Sequence, residues 1–142
     1  MLPWKLLLLA IVSIAGAWLS ARMEAREYAH QRKLNHLLLT CLRVTVAVMV
    51  LSLLLPDPVE LPVVALCLTF MAGIFGPIHR ISLNLARINR YFIHIPWFHL
   101  GTESKYDTFF RILLRGNEKA AFLTMTTLEL LIAAAMYQQL TP

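Results

Sequence analysis

Charge is scarce in this chain of 142 residues, and acidic charge most of all. Eight Asp and Glu stand against thirteen Lys and Arg, and all charged residues together make up 15% of the sequence. Soluble domains carry roughly 25%. The shortfall falls on the residues that solvate a surface, which excludes an ordinary soluble globule: too little polar surface remains to cover a core of this size. Cysteine is nearly missing too. Cys41 and Cys67 both lie inside apolar runs, with no CxxC pair and no Cys/His spacing suited to zinc, and read as small packing residues. GxSxG, a Walker loop, GxGxxG, HExxH and a carboxylate pair with a plausible base are missing as well. No catalytic residue, metal ligand or cofactor is therefore expected. The five histidines, His30, His36, His79, His94 and His99, show no ligand spacing; Pro96 spoils the interval between the last two.

What is present is apolar. Hydrophobic residues make up 58% of the chain, against about 45–50% in soluble domains, and the mean hydropathy is +0.65. The net charge of +5 suits either nucleic acid or an anionic membrane surface. The basic residues sit in blocks between apolar runs, so the membrane reading is taken and no nucleic-acid partner is expected.

The runs predict an all-α polytopic membrane protein, a single domain over 1–142 with about four transmembrane helices and two short interfacial amphipathic helices. Spans are placed at about 3–21, 37–55, 61–77 and 120–138, since about 20 apolar residues cross a bilayer. The first run outlasts a signal-peptide core of about 7–15 residues, so an uncleaved helix is expected. Its Gly16 and Ser20 have the small-xxx-small spacing that admits another helix. Pro56-Asp57-Pro58 turns the second run into the third, making an antiparallel hairpin, and Gly73, Gly76 and Pro77 are expected to end the third helix.

Between the spans lie two basic segments, 22–36 and 78–119. The first is a polar, helical connector. In the second, Ile78, Ile81, Leu85, Ile88 and Phe92 recur at helical spacing, with arginines on the other faces, as in an interfacial helix. Arg80, Arg87, Arg90, Trp97 and Lys105 are the expected contacts to anionic lipid headgroups. A second short helix over 104–115 opens on a capping box from Ser104 to Asp107 and closes at Gly116 and Asn117. With four spans, eleven Lys and Arg fall on one side and Lys5 on the other. The positive-inside rule then puts both basic segments in the cytoplasm and both termini outside it, in a bacterial inner membrane.

Two charged residues lie deep inside apolar runs, Arg43 and Glu129, while Lys5 stands at the start of the first run. An intramembrane carboxylate costs a few kcal/mol on insertion scales and marks a candidate site. Arg43 and Glu129 are therefore taken as a candidate pair, with Thr124, Thr126 and Thr127 near enough in sequence to help Glu129. Snorkelling of Arg43 to the near interface is the alternative.

Two stretches carry a resemblance. Asn35-His36 leading to Arg43, and Phe98-His99-Leu100-Gly101-Thr102-Glu103-Ser104-Lys105-Tyr106-Asp107 followed by Phe109-Phe110-Arg111, resemble motifs of small integral membrane proteins of Bacteroidetes-type phages and prophages. Gly76 stands where that pattern has an Asp before the proline. The resemblance implies a phage-encoded bacterial membrane protein and singles out His36, Arg43, Gly101, Thr102, Ser104, Asp107 and Arg111. Turn and cap chemistry accounts for Gly101 to Asp107 equally well.

The expected function is that of a non-enzymatic scaffold or interaction partner at the host inner membrane. Its partners would be membrane lipids, a second copy of the chain or another membrane protein. A holin-like pore-forming lysis protein is one alternative. A membrane enzyme or transporter-like subunit using Glu129 is another.

Overall fold

The computed structural model describes residues 1–30, 36–55, 60–91, 93–100 and 105–141, with residues 36–38 and 105–106 described by their backbone only. Every element among the described residues is a helix: α1 (Pro3–Ala29), α2 (His36–Leu54), α3 (Leu61–Tyr91), α4 (Lys105–Leu113) and α5 (Glu118–Leu140). Three of them, α1, α3 and α5, are each long and apolar enough to cross a membrane, while α2 holds a shorter apolar stretch, Leu39–Leu54. The chain is thus all-helical with the makings of a membrane protein.

α1 and α3 run parallel along most of their length. Gly16 faces Phe75, Glu24 meets His79 and Tyr28 lies under Arg87. Small residues make this close approach possible: Ser13, Ala17, Ser20, Ala21 and Ala25 form the buried face of α1, so two backbones can approach without large side chains between them. Ser20 is on that face, whereas Gly16 is exposed at its margin. α5 packs antiparallel on the other side of α3, and α2 runs antiparallel to α1 with few contacts to it or to α3.

One end of the bundle is closed by two cations on helix C-termini. The Met1 ammonium donates to the Leu140 carbonyl and the Lys5 Nζ to the Leu54 carbonyl, each at 2.5 Å, where the helix dipole is negative. Beside them a core joins four helices through Leu6 and Leu9, Leu51 and Leu54, Phe70 and Met71, and Ala133 and Leu140. At the opposite, basic end a second core gathers Leu100, Phe110, Ala121, Phe122 and Met125 under α4.

The helical connector expected from residue 22 is continuous with the first helix: α1 runs unbroken to Ala29. No Gly or Pro lies between Ala17 and Ala29, and the buried stripe carries on through Glu24 and Ala25. One sequence expectation is corrected: the third helix does not stop at Pro77. α3 runs 31 residues with Pro77 inside it, so the helix expected from residue 78 is its continuation rather than a separate element. Proline removes one backbone donor and crowds the preceding turn. Helices packed on neighbours tolerate this, and Pro77 is fully buried. At 1.5 Å per residue α1 is about 40 Å long and α3 about 46 Å, beyond the hydrocarbon thickness of about 30 Å.

The short helix expected over 104–115 is present as α4. Arg115 and Gly116 follow it with positive φ, 54° and 81°, and reverse the chain. Asn117 then caps α5, its Oδ1 accepting from the Ala120 N–H at 3.0 Å.

Candidate functional site

Among the described residues, three polar clusters lie between the helices. The first is between α3 and α5. Side chains lean toward the N-terminus of their own helix, and α3 and α5 are antiparallel, so Arg80 and Glu129 lean toward each other. They meet as a two-pronged pair. Arg80 Nη1 donates to Glu129 Oε1 at 3.1 Å and Nη2 to Oε2, with side-chain exposures of 14% and 15%. Planar guanidinium and carboxylate groups match in this arrangement, the strongest form of charged hydrogen bond.

The pair needs room, and two glycines supply it. A Cβ on Gly76 would lie 2.8 Å from both carboxylate oxygens of Glu129. A Cβ on Gly73 would lie 2.7 Å from the Glu129 carbonyl oxygen and 3.0 Å from the Ala133 Cβ. Gly73, Gly76 and Arg80 share one face of α3, and the glycines set the distance at which α5 can pack.

The second place joins α1, α2 and α3. Glu24 is buried and accepts from Arg43 Nη2, while His79 Nε2 lies 3.1 Å from its Oε1. Ser20 Oγ accepts from Arg43 Nε at 2.9 Å and from Nη2 at 2.5 Å. The guanidinium also lies 5.2 Å from the centre of the Phe75 ring, which itself stacks on His79. Arg43 therefore fastens α2 to both α1 and α3.

The third place is the basic end. Asn84, 2% exposed, donates to the carbonyls of Trp97 and His99, both at 2.8 Å, and so holds the segment after α3 against that helix. Arg111 Nη2 donates to the Leu100 carbonyl at 2.9 Å and to Glu118 Oε1 at 3.0 Å. His99 Nδ1 lies 3.5 Å from Glu118 Oε2. These contacts tie α4, the 93–100 segment and the start of α5 into one unit.

Arg43 and Glu129 are thus not partners of each other. Each has a different mate within the bundle, Glu24 for Arg43 and Arg80 for Glu129. The physical reason is the packing order: the helix against Glu129 is α3, and α2 lies against α1 and α3. Thr124 and Thr127 are exposed, and the buried Thr126 Oγ1 makes no hydrogen bond, so the threonines do not hold Glu129.

Arg80 is also not placed as a headgroup contact, because it is drawn into the bundle by Glu129. Arg87 lies over Tyr28 with 4.3 Å from guanidinium carbon to ring centre. Arg90 is exposed near Tyr91, and Trp97 is half-exposed, edge-on to Phe98 and Phe122. Asp107 falls in the first turn of α4 and Arg111 in its last. Gly101, Thr102 and Ser104, with the side chains of His36 and Lys105, lie outside the described residues.

Sequence reasoning missed Glu24, His79, Asn84 and the packing role of Gly73 and Gly76. One signal was available: Gly73, Gly76 and Arg80 at i, i+3 and i+7 draw one helical face that continues through Pro77. Among the described residues no three His, Cys, Asp or Glu side chains gather as a metal site. Comparison with models of known families, with curated proteins and with solved structures returned no match.

Proposed function

We propose that this chain is a four-span protein of a bacterial inner membrane that works without catalysis, as a scaffold or interaction partner. The observation that carries the reading is the mutual pairing of the interior charges, Arg80 with Glu129 and Arg43 with Glu24. Charges within a bilayer are costly unless paired, and here the pairing fastens helices to one another. A transporter-like role for Glu129 needs its carboxylate at a polar cavity; Gly76 and Arg80 occupy that place.

The fourth span is α2, whose 19 residues run beside α1 and end at Lys5. The termini lie outside the cytoplasm and the basic end lies within it, following the positive-inside rule. The contact surface is that basic end. There α4 buries Phe110 but leaves Phe109, Ile112 and Leu113 at 58%, 73% and 58% exposure, an apolar face for the membrane interface or a partner helix. The phage setting rests on the motif resemblance.

Single-cysteine topology mapping tests this in a background where Cys41 and Cys67 are alanine. A cysteine at Thr141 is expected to react with an impermeant maleimide in intact spheroplasts, and cysteines at Arg26 and Asn89 only after lysis. Reaction at Arg26 in intact cells overturns the orientation. A photo-crosslinker at Ile112 is expected to capture a discrete membrane protein or a second copy of the chain, and capture of lipid alone overturns the scaffold role.

A further inference from the structure

On the outer face of the α1–α3 pair, away from Arg43, lies a shallow apolar groove of about 510 Å³ lined by Ile11, Ile14, Ala15, Trp18, Ile78 and Ser82. On α1 these residues form one stripe, and the stripe continues at helical spacing into Arg22 and Arg26. Both arginines are exposed. The Arg22 guanidinium lies over the ring of Trp18, 4.1 Å from its centre, so a cation is fixed at the basic end of the groove by the aromatic that lines it.

We propose that this groove binds one anionic phospholipid of the cytoplasmic leaflet, its acyl chain along Ile11 to Trp18 and its headgroup phosphate at Arg22 and Arg26. The proposal rests on the membrane reading above. Three observations select this occupant. The groove is almost wholly apolar, which suits a hydrocarbon chain. Its single charged end is cationic, which suits a phosphate. From Ile11 to Arg22 the helix rises about 16 Å at 1.5 Å per residue, close to half of a hydrocarbon thickness of about 30 Å. A lipid whose headgroup meets Arg22 would therefore end its chain near Ile11, at the middle of the membrane.

The test is native mass spectrometry of the full chain purified in mild detergent with phosphatidylglycerol or phosphatidylcholine of identical acyl chains. One phosphatidylglycerol per chain is expected, retained about five-fold better than phosphatidylcholine, the preference that one arginine near a lipid surface gives. Arg22→Gln is expected to remove most of that preference and leave the melting temperature unchanged. Ala15→Phe, at an exposed position, fills the groove and is expected to abolish retention of both lipids.

A second readout needs no groove variant. In a Trp4→Phe/Trp97→Phe chain, acyl-brominated phosphatidylglycerol should quench Trp18 fluorescence more strongly than brominated phosphatidylcholine. Equal retention of the two headgroups, equal quenching, or a lipid-free dimer with the groove covered by a second copy each overturns the proposal. Release of the protein from membranes by alkaline carbonate would instead remove the membrane reading itself. A carbonate-resistant protein with no lipid preference removes only this site.

Discussion

The carboxylate of Glu129 occupies the space that a side chain at Gly76 would need: a Cβ there would sit 2.8 Å from both of its oxygens. The glycine and the acid are therefore one packing unit across α3 and α5, with Arg80 holding the acid in place.

Alanine at these glycines should loosen α3 from α5. Gly73→Ala is expected to cost more than Gly76→Ala, because its Cβ meets the backbone of α5 at 2.7 Å, whereas Gly76→Ala meets a side chain that can shift. Overpacking of this kind costs about 1–3 kcal/mol. Thermal denaturation in detergent checks the order, and Glu129→Ala should relieve most of the Gly76→Ala defect. Additive effects of the two would contradict the shared volume.

Removing one member of the Arg80–Glu129 pair leaves an unpaired charge in the bundle. Arg80→Leu and Glu129→Leu are each expected to destabilise by about 3–5 kcal/mol, and the double Leu variant by less than either. A double-mutant cycle on unfolding free energies measures this coupling. No coupling would mean that both groups reach water separately.

α2 depends on its polar fastenings, since among its described residues only Leu51 and Leu54 are buried. Arg43→Gln is expected to speed amide exchange over residues 39–47 about ten-fold or more, the share of one hydrogen bond to a charged group. Residues 50–54, near Lys5, should change little. Uniform exchange along α2 after the substitution would show that Arg43 does not anchor this half.

Asn84→Ala should free the segment after α3, because the carbonyls of Trp97 and His99 lose their donor. The cost is about 1–3 kcal/mol for groups left unsatisfied. Faster proteolysis between residues 93 and 100 and a red-shifted Trp97 emission report it. Asn84→Asp is expected to be worse, since a carboxylate there would face two carbonyl oxygens.

The sequence determined the helical class and the positions of the apolar runs. A chain with so few charges and such long hydrophobic stretches can satisfy its backbone in a membrane only through helices or a closed barrel, and its runs are of helix length. The alternation of apolar runs with basic segments also leads one to expect the C-termini of α1 and α3 and the N-termini of α2 and α5 together, and the bundle has them at one end, with Met1, Lys5, Leu54 and Leu140 at the other. The short α4 was legible as well, being set by neighbours within a few residues, whereas Asn117, expected to help end that helix, caps α5 instead.

Which charges meet was decided only by the tertiary structure. Arg43 and Glu129 were paired because both are charges inside apolar runs, yet a place in a run does not say which helices touch. Arg80 looked like a surface arginine until α5 packed against α3, and Glu24 looked like a solvated acid of a connector until α1 continued past it. Gly73, Gly76 and Pro77 read as a helix end because, along one chain, glycine and proline weaken helices. Packed against α5, the same glycines admit a neighbouring backbone and a carboxylate, and the gain from that close approach keeps α3 helical through Pro77.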